Sequence, residues 1–343
     1  MLGLGNSLIH NNRVKRGAVL PSNIIVPVVS GTNTVGSILT TTNGTWIGST
    51  PITYTYQWLR NGSNISGATS STYTLVTADT STLVSCKVTA TNSLGSANST
   101  SNSLTIYEAE YKAILDYATT NSYTLPSTAQ RLKQNTLLSS LKSAGAWTKL
   151  DTFVNFATDG SSAFALIDWK RLTQYTAVNS PTFTTNEGFT GNGTSSYINT
   201  NFNPTVGTNK YLLNNASRYI YTLNVVNIFD GVELSVENRI GTTGTAQRIN
   251  QGSGVINSAY SFTTGAGMKS IHRTSSTNVE LFSGTTQASR TATSFSIVNA
   301  NQLISRSLLT YSANRVSMYA MGASLVTENT AFVNAYNTYI SSL

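Results

Sequence analysis

The stretch Tyr54-Thr55-Tyr56-Gln57-Trp58-Leu59-Arg60-Asn61-Gly62 decides the fold class. Successive side chains of a strand point to opposite faces, so Tyr54, Tyr56 and Trp58 share one face, and Asn61-Gly62 is the residue pair that a tight two-residue hairpin turn prefers. A second stretch, Leu83-Val84-Ser85-Cys86-Lys87-Val88-Thr89-Ala90, repeats the alternation. Val84, Cys86, Val88 and Ala90 are predicted to face inward, with Ser85, Lys87 and Thr89 outward, which places Trp58 and Cys86 in one core. Around these two strands, residues 21–107 read as short strands punctuated at regular spacing by turn residues, the pattern of a β-sandwich.

Beyond the sandwich the apolar period changes from two to about 3.6. Tyr111, Ile114, Leu115 and Ala118 are spaced for one helical face; Ser127 stands three residues before Gln130 as a cap, and Leu132, Leu138 and Leu141 run toward Gly145 as a stop. Trp147, Leu150, Val154 and Ala157 suggest a further short helical turn. The stripe is predicted to pack against the following domain, since heptads of a coiled-coil oligomer seam are not sustained. From about residue 160 strands return, separated by Gly, Asn and Ser clusters, and residues 327–343 carry a helical stripe of Phe332, Ala335, Tyr336 and Tyr339. The predicted order is an N-terminal arm (1–20), a sandwich (21–107), a helical connector (108–158) and a larger β domain closed by a helix (159–343).

Length and composition agree with two domains. The chain has 343 residues and a mass of 36.6 kDa, whereas single cores stop growing at about 250–300 residues. Charged residues are 10% of the chain while Ser, Thr and Asn number 133, so the surface is hydroxyl-rich and low in charge, favouring an all-β extracellular or particle-surface protein. The net charge of +8 is locally concentrated only in the arm, at Arg13, Lys15 and Arg16. Residues 151–343 mix 11 basic with 9 acidic side chains in no like-charge block, so the folded domains are not expected to bind nucleic acid. One cysteine, Cys86, forbids an internal disulfide, and with only His10 and His272 beside it no zinc site is expected. Asp159, Asp168 and Asp230 are scattered, so neither calcium nor any cofactor is expected. Residues 1–9 do not read as an export signal, because the charges follow the apolar stretch, and the apolar run at Ile24 to Val29 is too short for membrane insertion.

Asn43-Gly44-Thr45-Trp46, Tyr54 to Arg60, Ser66 to Leu75 and Val88 to Gly95 resemble the immunoglobulin-like modules of bacterial surface and phage structural proteins, over about 85 residues. The resemblance implies a sandwich in which Cys86 lacks its disulfide partner, with Ile38 and Leu39 on the facing strand. Phe183 to Pro204, Ile271 to Ser276 and Ser317 to Leu325 with the final helix resemble the concanavalin-A-like (laminin-G-type) jelly rolls of phage tail and virion proteins. Together these resemblances imply a bacteriophage virion structural protein: a head fibre, capsid decoration or tail-associated protein. Such a protein is assembled in the host cytoplasm, anchored through the arm to capsid or tail proteins and displays an adhesive domain toward host surface glycans. A symmetric homo-oligomer, such as a trimer, is the expected assembly. The alternatives are a bacterial glycan-binding surface module and a secreted polysaccharide hydrolase.

The jelly-roll hydrolases of the laminarinase type carry Glu, Asp, Glu at alternate strand positions, and Glu233-Leu234-Ser235-Val236-Glu237 reproduces the spacing with Ser235 in the middle. Any solvated strand face gives this spacing, and no catalysis is expected. His272 reads as an ordinary sheet histidine, Cys86 as a buried thiol, and Gly265-Ala266-Gly267-Met268-Lys269-Ser270 as a turn into a strand rather than a phosphate loop. For a glycan, an aromatic ring beside amides is the chemistry required, and Tyr197, Asn199, Asn201 and Asn203 offer it, against the plainer reading that Tyr197 packs in the sheet and the asparagines make turns.

Overall fold

A computed structural model of the chain describes residues 17–224, 229–233, 236–241, 248–252, 265–307 and 310–343. The basic residues of the arm, Arg13, Lys15 and Arg16, lie outside the described residues. The chain is mostly β, its sheets are antiparallel, and it divides into two compact units, Met1–Ile106 and Tyr107–Leu343.

The first unit contains β1 (Ser22–Ile25), β2 (Val29–Gly31), β3 (Ile38–Thr41), β4 (Thr45–Ile47), β5 (Thr53–Arg60), β6 (Ser63–Asn64), β7 (Thr72–Thr74), β8 (Leu83–Asn92), β9 (Gly95–Thr100) and β10 (Leu104–Thr105). One sheet runs β10-β8-β5-β6, with β9 also on β8, and a second runs β2-β3-β7. Trp58 lies directly opposite Cys86 in the β5–β8 register, and both are fully buried with Val29, Leu39, Leu75, Val84, Val88 and Ile106. The turn between β5 and β6 has φ of 46° at Asn61 and 82° at Gly62, the left-handed pair that the Asn-Gly dipeptide supplies at little cost. Leu39 of β3 packs in this core while Ile38 points out, 61% exposed. The Trp58 indole stacks on Tyr73 at 5.5 Å between ring centres and donates to the Ser70 carbonyl.

The second unit begins with α1 (Ala109–Thr120) and α2 (Thr128–Ser143), a 3₁₀ turn at Trp147–Lys149, β11 (Leu150–Asn155) and α3 (Ser162–Ala165). There follow β12 (Ile167–Asp168), β13 (Thr173–Gln174), β14 (Thr176–Val178), β15 (Thr182–Thr184), β16 (Gly188–Thr190), β17 (Tyr197–Asn199), β18 (Ala216–Thr222) and β19 (Phe229–Glu233). After these come β20 (Val236–Gly241), β21 (Arg248–Gly252), β22 (Gly267–Arg273), β23 (Asn278–Ser283) and β24 (Thr286–Thr291). The chain closes with β25 (Leu303–Ile304), β26 (Arg306–Ser307), β27 (Thr310–Tyr311), β28 (Arg315–Gly322) and α4 (Asn329–Ser341). One sheet has the order β15-β16-β28-β18-β22-β23-β24 with β11 also on β28, and the other has the order β14-β17-β25-β19-β20-β21.

Side chains of both sheets meet in one core, including Phe189, Ile220, Ile271 and Tyr319 from the larger and Ile198, Ile240 and Ile304 from the smaller. The opposite face of the larger sheet is covered by α1, α2 and α4, whose Tyr111, Ile114, Leu138, Leu141, Phe332 and Tyr336 pack on Phe153, Tyr219, Tyr221 and Met318. The helical pair that follows the sandwich in the chain therefore belongs to the second unit's core. Ser127 caps α2 as its position predicts, accepting from the Gln130 N–H, while the Gln130 side chain instead donates to Tyr339 of α4. The helical turn expected through Leu150, Val154 and Ala157 shrinks to Trp147–Lys149, and Leu150–Asn155 is a strand paired with β28. That strand is buried on both faces, so its apolar run carries no period of two that would distinguish it from a helix.

Candidate functional site

Two aspartates mount the side chains of a cavity of about 490 Å³ in the second unit. β12 ends on Asp168, whose Oδ1 accepts from the backbone N–H groups of Lys170 at 2.9 Å and Arg171 at 3.3 Å, while Oδ2 accepts from the Thr152 hydroxyl at 2.6 Å. An aspartate bonding N–H groups two and three residues ahead folds its own chain into a turn. Here the turn carries Trp169 inward, 2% exposed, and brings Lys170 and Arg171 to the cavity wall. Burial pushes the Asp168 carboxyl up, and the Thr152 hydroxyl, the Lys170 N–H and the Arg171 charge pull against it. From β11, Asp151 does the same for a distant segment: its carboxylate accepts the Lys210 N–H at 2.9 and 3.0 Å and the Tyr211 N–H at 2.7 Å. The carboxylate lining the cavity is thereby turned to backbone donors.

The cationic heads are anchored on carbonyl oxygens. Lys170 Nζ donates to the Trp147 carbonyl at 2.9 Å and stands 4.2 Å from the Trp147 ring centre. Lys210 Nζ donates to the Leu150 carbonyl at 3.0 Å, and Arg171 Nη2 to the Asn201 carbonyl at 3.0 Å. Arg171 also lies over the Phe202 ring, at 5.4 Å, and 3.6 Å from Asp168. Burial, and next the charge of Lys210, push Lys170 down to about 8, against the opposite pull of Glu110, Asp151 and Asp168. Amides complete the wall at Asn201, Asn203, Asn209 and Asn301. Phe202 is only 4% exposed, so the cavity presents charge and amides rather than an open aromatic face.

Of the four residues proposed for a glycan from sequence, Asn201 and Asn203 line this cavity, and Tyr197 and Asn199 do not. Asn199 Oδ1 accepts the Asn201 N–H, Asn201 sits at φ 53° and donates from its amide to the Gln174 carbonyl and the Thr176 hydroxyl, and Asn203 accepts the Thr205 N–H. The asparagines thus shape turns. Tyr197, on β17, lies beside Tyr311 at 6.3 Å, with the Arg306 guanidinium 4.6 Å from its ring centre.

Glu233 and Glu237 do not alternate along one strand. β19 ends on Glu233, β20 runs from Val236, and the two glutamates are opposite partners across that hairpin, which removes the strand pattern of the laminarinase-type hydrolases. Their side chains, and Ser235 itself, lie outside the described residues, while for Asp230 only the backbone position on β19 is described. His272 lies on β22 and is fully buried: its Nδ1 accepts the Leu325 N–H, leaving Nε2 to donate to Ser270, whose hydroxyl bonds Asn329. Burial pushes this imidazole down to about 3. Gly267 to Ser270 begin β22, after the turn expected there. Among the described residues no three His, Cys, Asp or Glu side chains cluster in a way that could hold a metal.

Sequence reasoning missed Lys170, Arg171 and Lys210. The sequence signal for Lys170 and Arg171 is Asp168 two and three residues before them, whereas Lys210 carries none, its aspartate being the distant Asp151. No family model and no curated protein matches the chain. Among solved structures it is similar to the crystal structure of the HCR/D W1238A mutant, at 9% identity and a TM-score of 0.35, over 55% of this chain and 52% of that one. It is also similar to Trypanosoma rangeli sialidase in complex with sialic acid, at 8% identity and a TM-score of 0.35, over 75% of this chain and 43% of that one. The chain spans about half the length of these proteins or less.

Proposed function

We propose that this chain is a non-catalytic adhesive protein of a bacteriophage particle, whose second unit binds glycans of the host surface. The observation that carries the adhesive part is the cavity walled by Lys170, Arg171, Lys210 and four asparagines, where the one lining carboxylate is occupied by backbone N–H groups and so is poorly placed to act as a general acid or base. The particle part rests on the immunoglobulin-like and jelly-roll resemblances and on the hydroxyl-rich, disulfide-free composition. Of the hydrolase reading, only the one-strand spacing of the glutamates is lost, since Glu233 and Glu237 are directly paired residues of β19 and β20.

Purified chain incubated with a panel of bacterial surface polysaccharides is expected to be retained on some of them without releasing reducing sugar. Sugar release that disappears in Glu233→Gln or Glu237→Gln would overturn the non-catalytic reading. A mass-spectrometric census of purified phage particles is expected to find the chain at a symmetry-related copy number; its absence from particles, with retained polysaccharide binding, would favour a bacterial surface module.

A further inference from the structure

Resting on the glycan-binding reading above, we infer that the cavity selects acidic saccharides, holding the sugar's anionic group among Lys170, Arg171 and Lys210. Three features lead to this. First, recognition of a neutral sugar ordinarily uses an exposed aromatic face, and the ring at this cavity, Phe202, is 4% exposed and has the Arg171 guanidinium over it. Second, three cations line the wall against one lining carboxylate, Asp151, whose oxygens already accept the N–H groups of Lys210 and Tyr211. The lining side chains carry two more positive charges than negative, while Asp168, outside the lining, stands 3.6 Å from Arg171 and, with Glu110, acts on Lys170.

Third, the cations are held in place before any ligand arrives. Lys170 and Lys210 each give one of three ammonium donors to a carbonyl, of Trp147 and of Leu150, which fixes the heads and leaves donors over. Lys210 lies close enough to Lys170 to disfavour its charged form, so an anion between them relieves that repulsion. Arg171 has Nη2 fixed on the Asn201 carbonyl and Nη1 buried 3.6 Å from Asp168, so it contributes fixed charge to the wall rather than a two-pronged contact. Preorganised donors lower the ordering cost of binding.

The test is calorimetric titration of the full chain with matched pairs: trigalacturonate against a neutral trisaccharide, sialyllactose against lactose, and a sulfated against an unsulfated disaccharide, at low and at raised salt. At least one acidic member is expected to bind at least tenfold more tightly than its neutral partner, to weaken with salt, and to lose at least tenfold in Lys210→Glu. Lys210 is exposed, so this variant is expected to keep its fold, checked by an unchanged thermal transition. Equal binding of acidic and neutral partners, or an unchanged affinity in a folded Lys210→Glu, overturns the charge selection and leaves glycan binding standing. Displacement by inorganic sulfate at the same concentration as the sugar overturns the saccharide and leaves only an anion site. No binding of any glycan overturns this inference together with the function proposed above.

Discussion

At the scale of single residues, two buried groups have measurable chemistry. Cys86 is fully buried opposite Trp58, and burial pushes its thiol up, with the Gln57 backbone and the Thr41 side chain partly offsetting. A thiol without thiolate character or access reacts slowly. Ellman's reagent is accordingly expected to label less than one equivalent over hours in buffer and one equivalent at once in guanidinium; rapid labelling of native chain would contradict the packing. His272 gives a pH dependence with a definite sign. In the unfolded chain an imidazole takes a proton near 6.5, whereas the buried ring resists protonation down to about 3. Below about pH 6.5 the unfolded state binds the extra proton, so stability present above that pH is lost by up to about 1.4 kcal/mol per unit as pH falls toward 3. The melting temperature of the second unit is expected to fall less steeply between pH 7 and 4 in His272→Gln than in wild type, whatever the variant's value at pH 7. Parallel curves would mean that other groups govern acid unfolding.

At the scale of elements, legibility followed the number of faces a sheet buries. β5 and β8 of the first unit bury Trp58, Val84, Cys86, Val88 and Ala90 as the alternation predicts, but Ser85, expected outward, is buried at 6% exposure, as is Leu59 at 7%. β18 and β28 are buried at every or nearly every position, with Tyr219 and Tyr221 under the helices and Ile220 in the sandwich, so they carry no alternation to read. β28 even changes parity: the register shift across Ser317 puts Val316 and Tyr319 on the same face. Helices were easier, since α1 buries Tyr111, Ile114, Leu115 and Ala118 as the 3.6 period requires. What the pattern could not show was the polar tie between β5 and the segment joining β7 to β8. Asp79, fully buried, accepts from Arg60 at 2.7 Å, from the Tyr73 hydroxyl at 2.9 Å and from the Val76 N–H at 2.8 Å. Asp79→Ala strands three donors and is expected to cost about 3 kcal/mol, the low end for a broken buried pair because Arg60 is 30% exposed. Asp79→Asn keeps one acceptor and is expected to cost less. Denaturant midpoints of the two variants check the order, and an Asp79→Ala variant as stable as wild type would show the tie to be idle.

At the scale of the whole molecule, the candidate site was illegible because no one segment contains it. Lys170 and Arg171 come from the β12–β13 turn, Lys210 from the approach to β18 and Asp151 from β11, and only the two aspartates, each bonding backbone N–H groups of the lysine it positions, bring them to one wall. Asn201 and Asn203 of that wall are legible as amides near an aromatic residue, whereas the charges, from segments far apart in sequence, are not. The division into two units has an energetic consequence. Trp58, Cys86 and Leu39 form a core within the first unit, while the residues packed between the sheets and under the helices all fall in the second. Cores that share no residue can lose order separately, so calorimetry is expected to resolve two unfolding transitions. Trp58→Ala removes the largest fully buried side chain of the first unit, a truncation that costs about 3–5 kcal/mol in a packed core. It is expected to lower one transition by many degrees and leave the other in place, with acidic-saccharide affinity unchanged because every cavity residue lies in the second unit. A single transition that moves as a whole in Trp58→Ala would show that the two units fold as one, and that stability of the cavity is set by the sandwich that precedes it in the chain.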